Sequence, residues 1–515
     1  MRTLTLQLVL IFLYPRLGWG KTVVMVPGPG KSYILYHARI AEALTELGHD
    51  VWMCMSHNMT QRGLVKNKSI HILSYRESIP DLEQKMESSL RGSNMFTDFW
   101  EGKSLNFDSL KSILKVVEET GYEIMSDDDF QKQILGLKPD LMVLEEAPAL
   151  RNMVLLPYKF DIPFAWIGTA HNMILSRVPF SPAVETNIFS KDTHKKQFWQ
   201  RLKSTFEHVI SMYYDPFSDN SFLSKYAPEK PYKTISEIAL QAEVFISEMD
   251  HILDYPKPTL PNTKLIGGSS ATEPKPLSGQ FKQFVEQSKN EVVIVTFGGN
   301  DFPVPEHIVL KMMSAFEQLP LSVVWRMNTT SLDPNQILTS TWIPQNDLLG
   351  HPKTKVFVSH CGKNGQYEAL YHAVPILCLP IYGDQFYNTE RVQAKGFGVG
   401  RDIREISVTN LADTIQELAN DGKYKRNIQK ASNLFKELYK VPSKEAAYWI
   451  DHVMKYGGDY MRSSGQEMPL YQFLILDVLG CVVVVVIFTC TAIIMLARFC
   501  YRKVLKQKHY KQKTL

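Results

Sequence analysis

Apolar residues along this chain recur as short runs that alternate with segments of helical period. Thr22–Val26 is one such run, Pro27-Gly28-Pro29-Gly30 breaks it, and a 3.6-residue period follows from about Ser32 to Leu47 before Val51–Met55 turns apolar again. That order predicts a strand, a loop, a helix and a second strand of a parallel sheet. Pro139–Leu144 and Pro163–Ile167 read as further strands, and residues 170–240 as a long irregular and helical section rich in Phe, Tyr and Trp. From about Thr259 to Gly279, Pro, Ser, Thr and Gly predict a linker. A second alternation opens with the apolar run Val292–Phe297, which ends in Gly298-Gly299. Helix over about Pro305–Gln318 and strands over Ser322–Met327 and Lys355–Ser359 follow. Next come helix Asn364–His372, strand Pro375–Leu379, helix Gln385–Ala394 and a further helix from about Asn410. Two tandem Rossmann-like α/β units with a cleft between them is the economical architecture, and ligands of such sheets bind at the carboxyl ends of the strands. The first loop lacks G-x-G-x-x-G, so it carries no nicotinamide or flavin signature.

Both ends of the chain break this pattern. Residues 1–20 read as a signal peptide: Arg2, an apolar stretch from Leu4 to Tyr14, and Gly18 and Gly20 before Lys21. Phe473–Leu496 is apolar but for Asp477 and two threonines, long enough to cross about 30 Å of hydrocarbon, and predicts a transmembrane helix over 474–497. The basic tail 498–515 carries Arg498, Arg502, Lys503, Lys506, Lys508, Lys511 and Lys513 and no acid. The positive-inside rule puts that tail in the cytosol and the body in the lumen, a single-pass type I topology. Lys511 and Lys513, at −5 and −3 from the end, resemble a dilysine retrieval signal for the endoplasmic reticulum membrane; a polybasic segment holding anionic lipid is the other reading. Asn58-Met59-Thr60, Asn67-Lys68-Ser69 and Asn328-Thr329-Thr330 are sequons that a lumenal body would expose.

The seven basic residues of the tail exceed the net charge of +4, and a body left near neutral or slightly acidic has no electrostatic footprint for nucleic acid. Of the six cysteines, Cys481, Cys490 and Cys500 lie in or beside the apolar span; Cys361 and Cys378 fall in buried contexts, where cysteine behaves as a small hydrophobe. No spacing fits zinc. Asp127-Asp128-Asp129 reads as a solvated helix cap rather than an acidic metal motif.

Candidate chemistry concentrates between Trp342 and Gly398. His360-Cys361-Gly362-Lys363-Asn364-Gly365 sits between a strand and a helix, where free backbone amides and the helix dipole accept an anion, most often phosphate. Gly362 and Gly365 permit close approach. His360 adds a donor, Glu368 can take a ribose diol, Trp342 offers a flat face to a base, and Asp384 and Gln385 follow the next strand, within reach of sugar hydroxyls. Singly, each has a plainer use as a cap or a packed residue. Their conjunction points to a nucleotide-sugar.

This block resembles the signature of the UDP-glycosyltransferase superfamily, in particular the animal UDP-glucuronosyltransferases and the related ceramide galactosyltransferases. Trp342-Ile343-Pro344-Gln345-Asn346-Asp347-Leu348-Leu349-Gly350-His351-Pro352 is nearly the animal wording, whereas His360-Cys361-Gly362 is closer to the plant form than to the animal His-Gly-Gly. The resemblance extends over nearly the whole chain. It implies a GT-B fold, with an acceptor-binding domain over 21–280 and a UDP-sugar-binding domain with a return helix over 281–456. It implies a metal-independent inverting transfer of a hexosyl group, glucuronic acid or glucose, to a hydroxyl of a small lipophilic acceptor, with the UDP-sugar as co-substrate and no cofactor. Carried over by position, Trp342 would stack on uracil, Gln345 and Glu368 would hold ribose, and His360 with the Asn364 and Gly365 amides the diphosphate. Asp384 and Gln385 would hold the sugar, and Gly298 and Gly299 would face the phosphates.

Three departures stand out. The family's catalytic histidine lies fifteen residues before the Gly of Gly-His-(Glu/Asp)-Val; counting back from Gly48 gives Tyr33. Its partner aspartate is Glu145 or Glu146, and the serine expected after Gly298 is Gly299. His37, one helical turn beyond Tyr33, is either a substitute base or a packing residue. The alternatives to an active transferase are a weakened UDP-sugar-binding relative that serves a ligand or partner protein, and a ceramide-type lipid hexosyltransferase. Membrane lipid is the remaining implied partner; homo- and hetero-oligomers stay open.

Overall fold

A computed structural model describes residues 20–28, 30–75, 77, 85, 95–103, 107–174, 176–179, 196–214, 220–298, 304–331 and 333–513. The signal-peptide reading therefore lies, but for Gly20, outside the described residues, as does Gly299.

Residues up to Arg462 form one compact unit containing two parallel sheets. The first has seven strands: β1 (Thr22–Val26), β2 (Asp50–Met55), β3 (Ile70–Ser74), β4 (Leu141–Glu145), β5 (Phe164–Gly168), β6 (Phe245–Ser247) and β7 (Thr263–Leu265), in spatial order β3-β2-β1-β4-β5-β6-β7. The second has six: β8 (Val292–Thr296), β9 (Ser322–Arg326), β10 (Ile337–Ser340), β11 (Thr354–Ser359), β12 (Ile376–Cys378) and β13 (Gly398–Gly400), in order β10-β9-β8-β11-β12-β13. Each order runs outward from its first strand, then reverses past it, so each sheet has a switch point: between β1 and β4, and between β8 and β11.

Helices cover both faces of each sheet, which is why the strands read as continuous apolar runs. Val24 and Val26 face one core and Val23 and Met25 the other; Val293 and Val295, and Val292 and Ile294, divide the same way. Helix α1 (Lys31–Glu46) buries Ile34, Ala38 and Ala41 on the first sheet. Helix α4 (Pro442–Tyr456) follows the second sheet in sequence yet packs on the first through Ala446, Ile450 and Val453, with Asp451 3.1 Å from His49. In the other direction, the short helix Met95–Trp100 sends Trp100 into the core of the second sheet, where Phe99 stacks on Tyr382 with ring centroids 4.8 Å apart.

Two sequence expectations are corrected here. The linker over Thr259–Gly279 contains β7, a three-residue edge strand whose Thr263, Lys264 and Leu265 pair with Phe245, Ile246 and Ser247. Its own pattern is too short to announce it; the existing sheet edge supplies the hydrogen bonds. Cys361 and Cys378 are buried but are disulfide-bonded, with Cα atoms 5.1 Å apart. Register explains the pairing: β11 and β12 are neighbours with Ser359 opposite Cys378, and Cys361 turns back two residues past the end of β11. Asp127 caps the helix Asp128–Leu137, accepting from the amides of Asp129 and Phe130.

Residues from Ser463 form a second unit, dominated by helix α5 (Leu476–Lys513). Its stretch Leu476–Lys506 has a mean hydropathy of 2.9 over its most apolar part and no buried residue there, so by length and composition it suffices to cross a membrane.

Candidate functional site

The polar residues singled out in the sequence gather where β8, β11 and β12 end. β11 runs into His360, Cys361 adopts the left-handed conformation (φ 68°), and Gly362 is the N-cap of helix α2 (Lys363–Tyr371). The first bond inside this helix runs from the Gln366 amide to the Gly362 carbonyl, which leaves the amides of Lys363, Asn364 and Gly365 without helical partners. A β-carbon on Gly298 (φ 86°) would lie 2.9 Å from the His360 ring, and one on Gly362 would lie 2.5 Å from its Nε2. The imidazole is thus gripped between two glycines that end β8 and begin α2, and no other residue at either place leaves room for it. Burial pulls the His360 pKa down to about 4, so the ring is neutral and presents one N–H donor. The disulfide fastens this turn to β12, and the Cys361 carbonyl accepts from Gln366 and Asn388.

His360 and Gly298 line a cavity of about 770 Å³ that Trp342, Arg326, Lys31 and Tyr382 also face. Trp342 is 58% exposed, lines the cavity, and holds its ring edge-on to Phe281 at 6.5 Å. At one side, Gln345 donates to Glu368 at 2.6 Å; burial raises the Glu368 carboxyl to about 7 against the lowering effect of that bond. Asp384 is the N-cap residue of helix α3 (Gln385–Ala394); burial raises its pKa, opposed first by the Asn388 amide that donates to it at 2.8 Å. Gln385 is buried, and its side-chain oxygen accepts from the amides of Ile381 and Tyr382, so that oxygen shapes the loop.

Across the cleft, the switch point of the first sheet contributes Tyr33 and Glu145. A β-carbon on Gly28 would meet the Tyr33 ring at 2.7 Å, so the loop after β1 folds over it. The Tyr33 pKa is raised, chiefly by burial and then by the charges of Glu145 and Asp384. This phenol therefore senses carboxylates from both halves of the body at once. Glu145, at the end of β4, is buried and accepts from the Tyr36 hydroxyl; its pKa is raised well above the usual carboxylate range by burial and then by the charges of Glu248 and Glu146. His37 is wholly buried, with Nδ1 3.0 Å from the Tyr33 carbonyl and 3.7 Å from Glu145, and burial lowers its pKa to about 3. Glu146 points elsewhere, toward the Asn172 amide, and burial raises it to about 8.

Sequence reasoning missed Arg326, Lys31, Trp100 and Tyr382. Arg326 ends β9 and is anchored by Nε to the Thr341 carbonyl at 3.0 Å; a basic residue at a strand end beside Gly298 was the available signal. Trp100 comes from a distant helix that no local pattern connects to the cleft.

Comparison with known proteins bears on this arrangement. The family model described as "UDP-glucoronosyl and UDP-glucosyl transferase" matches residues 22–511. Human UDP-glucuronosyltransferase 1A6 is 26% identical over 509 residues, 95% of this chain and 94% of that enzyme. Mouse UDP-glucuronosyltransferase 1-2 is 32% identical over 319 residues, 59% of this chain and 60% of that one, so this second alignment spans less than two thirds of the relative. Among solved structures, the glycosyltransferase of kitacinnamycin superposes with a TM-score of 0.61 at 16% identity, covering 84% of this chain and 99% of that one. A UDP-glucosyltransferase from Polygonum tinctorium, solved with 3,4-dichloroaniline, does so with a TM-score of 0.59 at 15% identity, over 85% and 99%. The two-sheet GT-B architecture expected from the sequence is thereby the fold of this chain.

Proposed function

This chain belongs to the UDP-glucoronosyl and UDP-glucosyl transferase family, a family of glycosyltransferase enzymes, and we propose that it transfers glucuronic acid or glucose from a UDP-sugar to a small lipophilic acceptor. The reading is carried by the neutral His360 ring, held between Gly298 and Gly362 at the start of α2 and facing the cavity. In this reading uracil lies on Trp342, Gln345 and Glu368 take the ribose, and Asp384 and Gln385 hold the sugar, Gln385 through its amide. The diphosphate meets His360 and the amides of Lys363, Asn364 and Gly365.

The acceptor oxygen bonds to the anomeric carbon as the bond from that carbon to the UDP oxygen breaks, with inversion. Charge grows on the departing diphosphate, so donors fixed beforehand by the strand-to-helix turn favour the transition state over the ground state. No metal and no cofactor enters the proposal. The acceptor proton is the weak point. Tyr33, its pKa raised, is a donor rather than a base, and His37 is buried with its Nδ1 engaged by its own helix. We therefore assign His37 to packing and Tyr33 to donating a hydrogen bond in the cleft. Acceptors that ionise in water before binding, such as acidic phenols, are the substrates this site favours.

The same features support a second reading, a relative that binds UDP-sugar without turnover. UDP release by the purified full chain, across UDP-sugars and phenolic or aliphatic acceptors, separates the two. We further place the body in the lumen of the endoplasmic reticulum, anchored by α5 with its lysine-rich end in the cytosol.

A further inference from the structure

Asp384, Asn388 and Arg391 are spaced by four and then three residues, which places them on one face of helix α3. Asn388 is 1% exposed and Arg391 0%, so both must find their partners inside the protein. Asn388 Nδ2 donates to the Asp384 carboxylate at 2.8 Å and to the Cys361 carbonyl at 3.0 Å, while its Oδ1 accepts from the Arg391 guanidinium. A guanidinium only donates, and a carboxylate and a carbonyl only accept, so one orientation of the amide satisfies all three contacts. Turned over, the amide would set its oxygen against two acceptors and its hydrogens against a cation. Arg391 therefore decides which end of Asn388 faces Asp384.

Arg391 is itself fixed from the other sheet. It pairs with the buried carboxylate of Asp254, and its guanidinium lies 4.3 Å from the centroid of the Tyr387 ring. Asp254 belongs to the connection between β6 and β7. That connection turns on Asp250, which accepts from the Leu253 amide at 2.6 Å, and it sends Ile252 and Leu253 into the core of the second sheet. Lys363, the first residue of α2, donates to the same Asp254 carboxylate at 2.8 Å, and Lys395 donates to the Asp254 carbonyl at 3.0 Å. The Cys361 turn has independent support from its disulfide and from Gln366. Among the described residues, Asn388 is the one side chain that donates to the Asp384 carboxylate. A loosened amide is thus felt chiefly at Asp384. We propose that Arg391 and Asp254 are positioning residues for sugar recognition: the pair locks Asn388, and through it the Asp384 carboxylate, in the orientation that receives sugar hydroxyls. The proposal rests on the reading of Asp384 as a holder of the sugar, and it makes a connection of the first sheet part of recognition on the second.

Calorimetric titration of the full chain with UDP and with a UDP-sugar (UDP-glucose or UDP-glucuronate, whichever wild type binds more tightly) separates positioning from folding. Arg391→Met leaves Asp254 paired with Lys363, so no buried acid is orphaned. This variant should bind UDP within about twofold of wild type and the UDP-sugar about tenfold more weakly. Asp384→Ala should show the same pattern. The double variant should lose no more than Asp384→Ala alone, because both changes act on one contact. Losses that add in the double variant, or that fall equally on UDP and UDP-sugar, would make Arg391 a structural residue and overturn the proposal. Wild-type UDP-sugar affinity in Arg391→Met, with Asp384→Ala impaired, overturns it as well and leaves the sugar reading standing. Wild-type UDP-sugar affinity in Asp384→Ala overturns both. Where Arg391→Met does not fold, Asn388→Asp decides: it offers Arg391 a second carboxylate but sets an oxygen against Asp384, and it must lose UDP-sugar affinity while sparing UDP.

Discussion

The imidazole of His360 fills the space that a β-carbon on Gly298 would need, at 2.9 Å from Cε1. Gly298 also stands at φ 86°, a backbone region that costs other residues about 1–3 kcal/mol. Gly298→Ala should therefore displace the ring and weaken UDP binding by about tenfold, roughly 1.4 kcal/mol. Calorimetric titration of UDP checks this, and an unchanged affinity would show that the ring is not held there.

Glu368 gives the site a pH dependence. Its pKa in the folded protein is raised to about 7, so it binds a proton between the unfolded value and 7, and the stability this contributes is lost as pH rises through 7. UDP-glucose, whose diphosphate does not titrate near neutrality, meets the carboxylate only above that pH. Its affinity should rise from pH 6 to pH 8 in wild type and stay flat in Glu368→Gln. At pH 8 the variant should bind about tenfold more weakly, in keeping with about 1.5–3 kcal/mol for a bond to a charged group.

The Cys361–Cys378 bridge closes a loop with a sequence separation of 17. Cys378→Ser should lower unfolding stability by up to about 3 kcal/mol, a chain-entropy figure for a loop of this size. It should also loosen the turn that holds His360. Thermal unfolding with and without UDP measures both; the stabilisation by UDP should shrink along with the melting temperature.

The proposed transfer makes position 33 the place to test for a missing base. A positioned base contributes roughly 10²–10⁴-fold, so turnover on aliphatic alcohols should be far below turnover on acidic phenols. Tyr33→His, with Glu145 on the adjacent strand end to orient the new ring, should raise the alcohol rate most. His37→Ala should leave the phenol rate near normal apart from the stability it loses. A collapse of the rate in that variant, at unchanged fold and UDP affinity, would make His37 the base.

Lys511→Ser with Lys513→Ser should release the protein from the endoplasmic reticulum to later compartments, which glycan maturation on Asn58 or Asn67 would report. An unchanged distribution would assign retention to another signal.

Most of what positions the candidate site on the second sheet was readable in the residues. Val292–Thr296 and Val356–Ser359 are buried on both faces, and short apolar runs that lead into Gly298 and His360 are visible without a structure. Gln385–Ala394 matches its expected span because it follows a strand and a Gly-Asp turn. Less was readable where neighbours rather than sequence supply the interactions. β7 and β13 are three residues long and exist by pairing with a sheet already formed. Disulfide bonding of Cys361 depends on strand order, which spacing along the chain does not encode. Trp100 and Phe99 reach the second sheet from a segment whose own pattern says only that it is apolar. The burial of His37 turned on how tightly α1 and β4 pack, whereas a count of one helical turn from Tyr33 could say only that the two share a face.

The central claim is a UDP-sugar site at the carboxyl ends of β8, β11 and β12. Titration of UDP into the full chain as wild type, His360→Ala and Glu368→Ala tests it most directly. Each truncation should weaken binding by about tenfold or more, the loss expected for a bond to a charged partner, while the unfolding temperature without ligand changes little. Wild-type affinity in both variants would contradict the site.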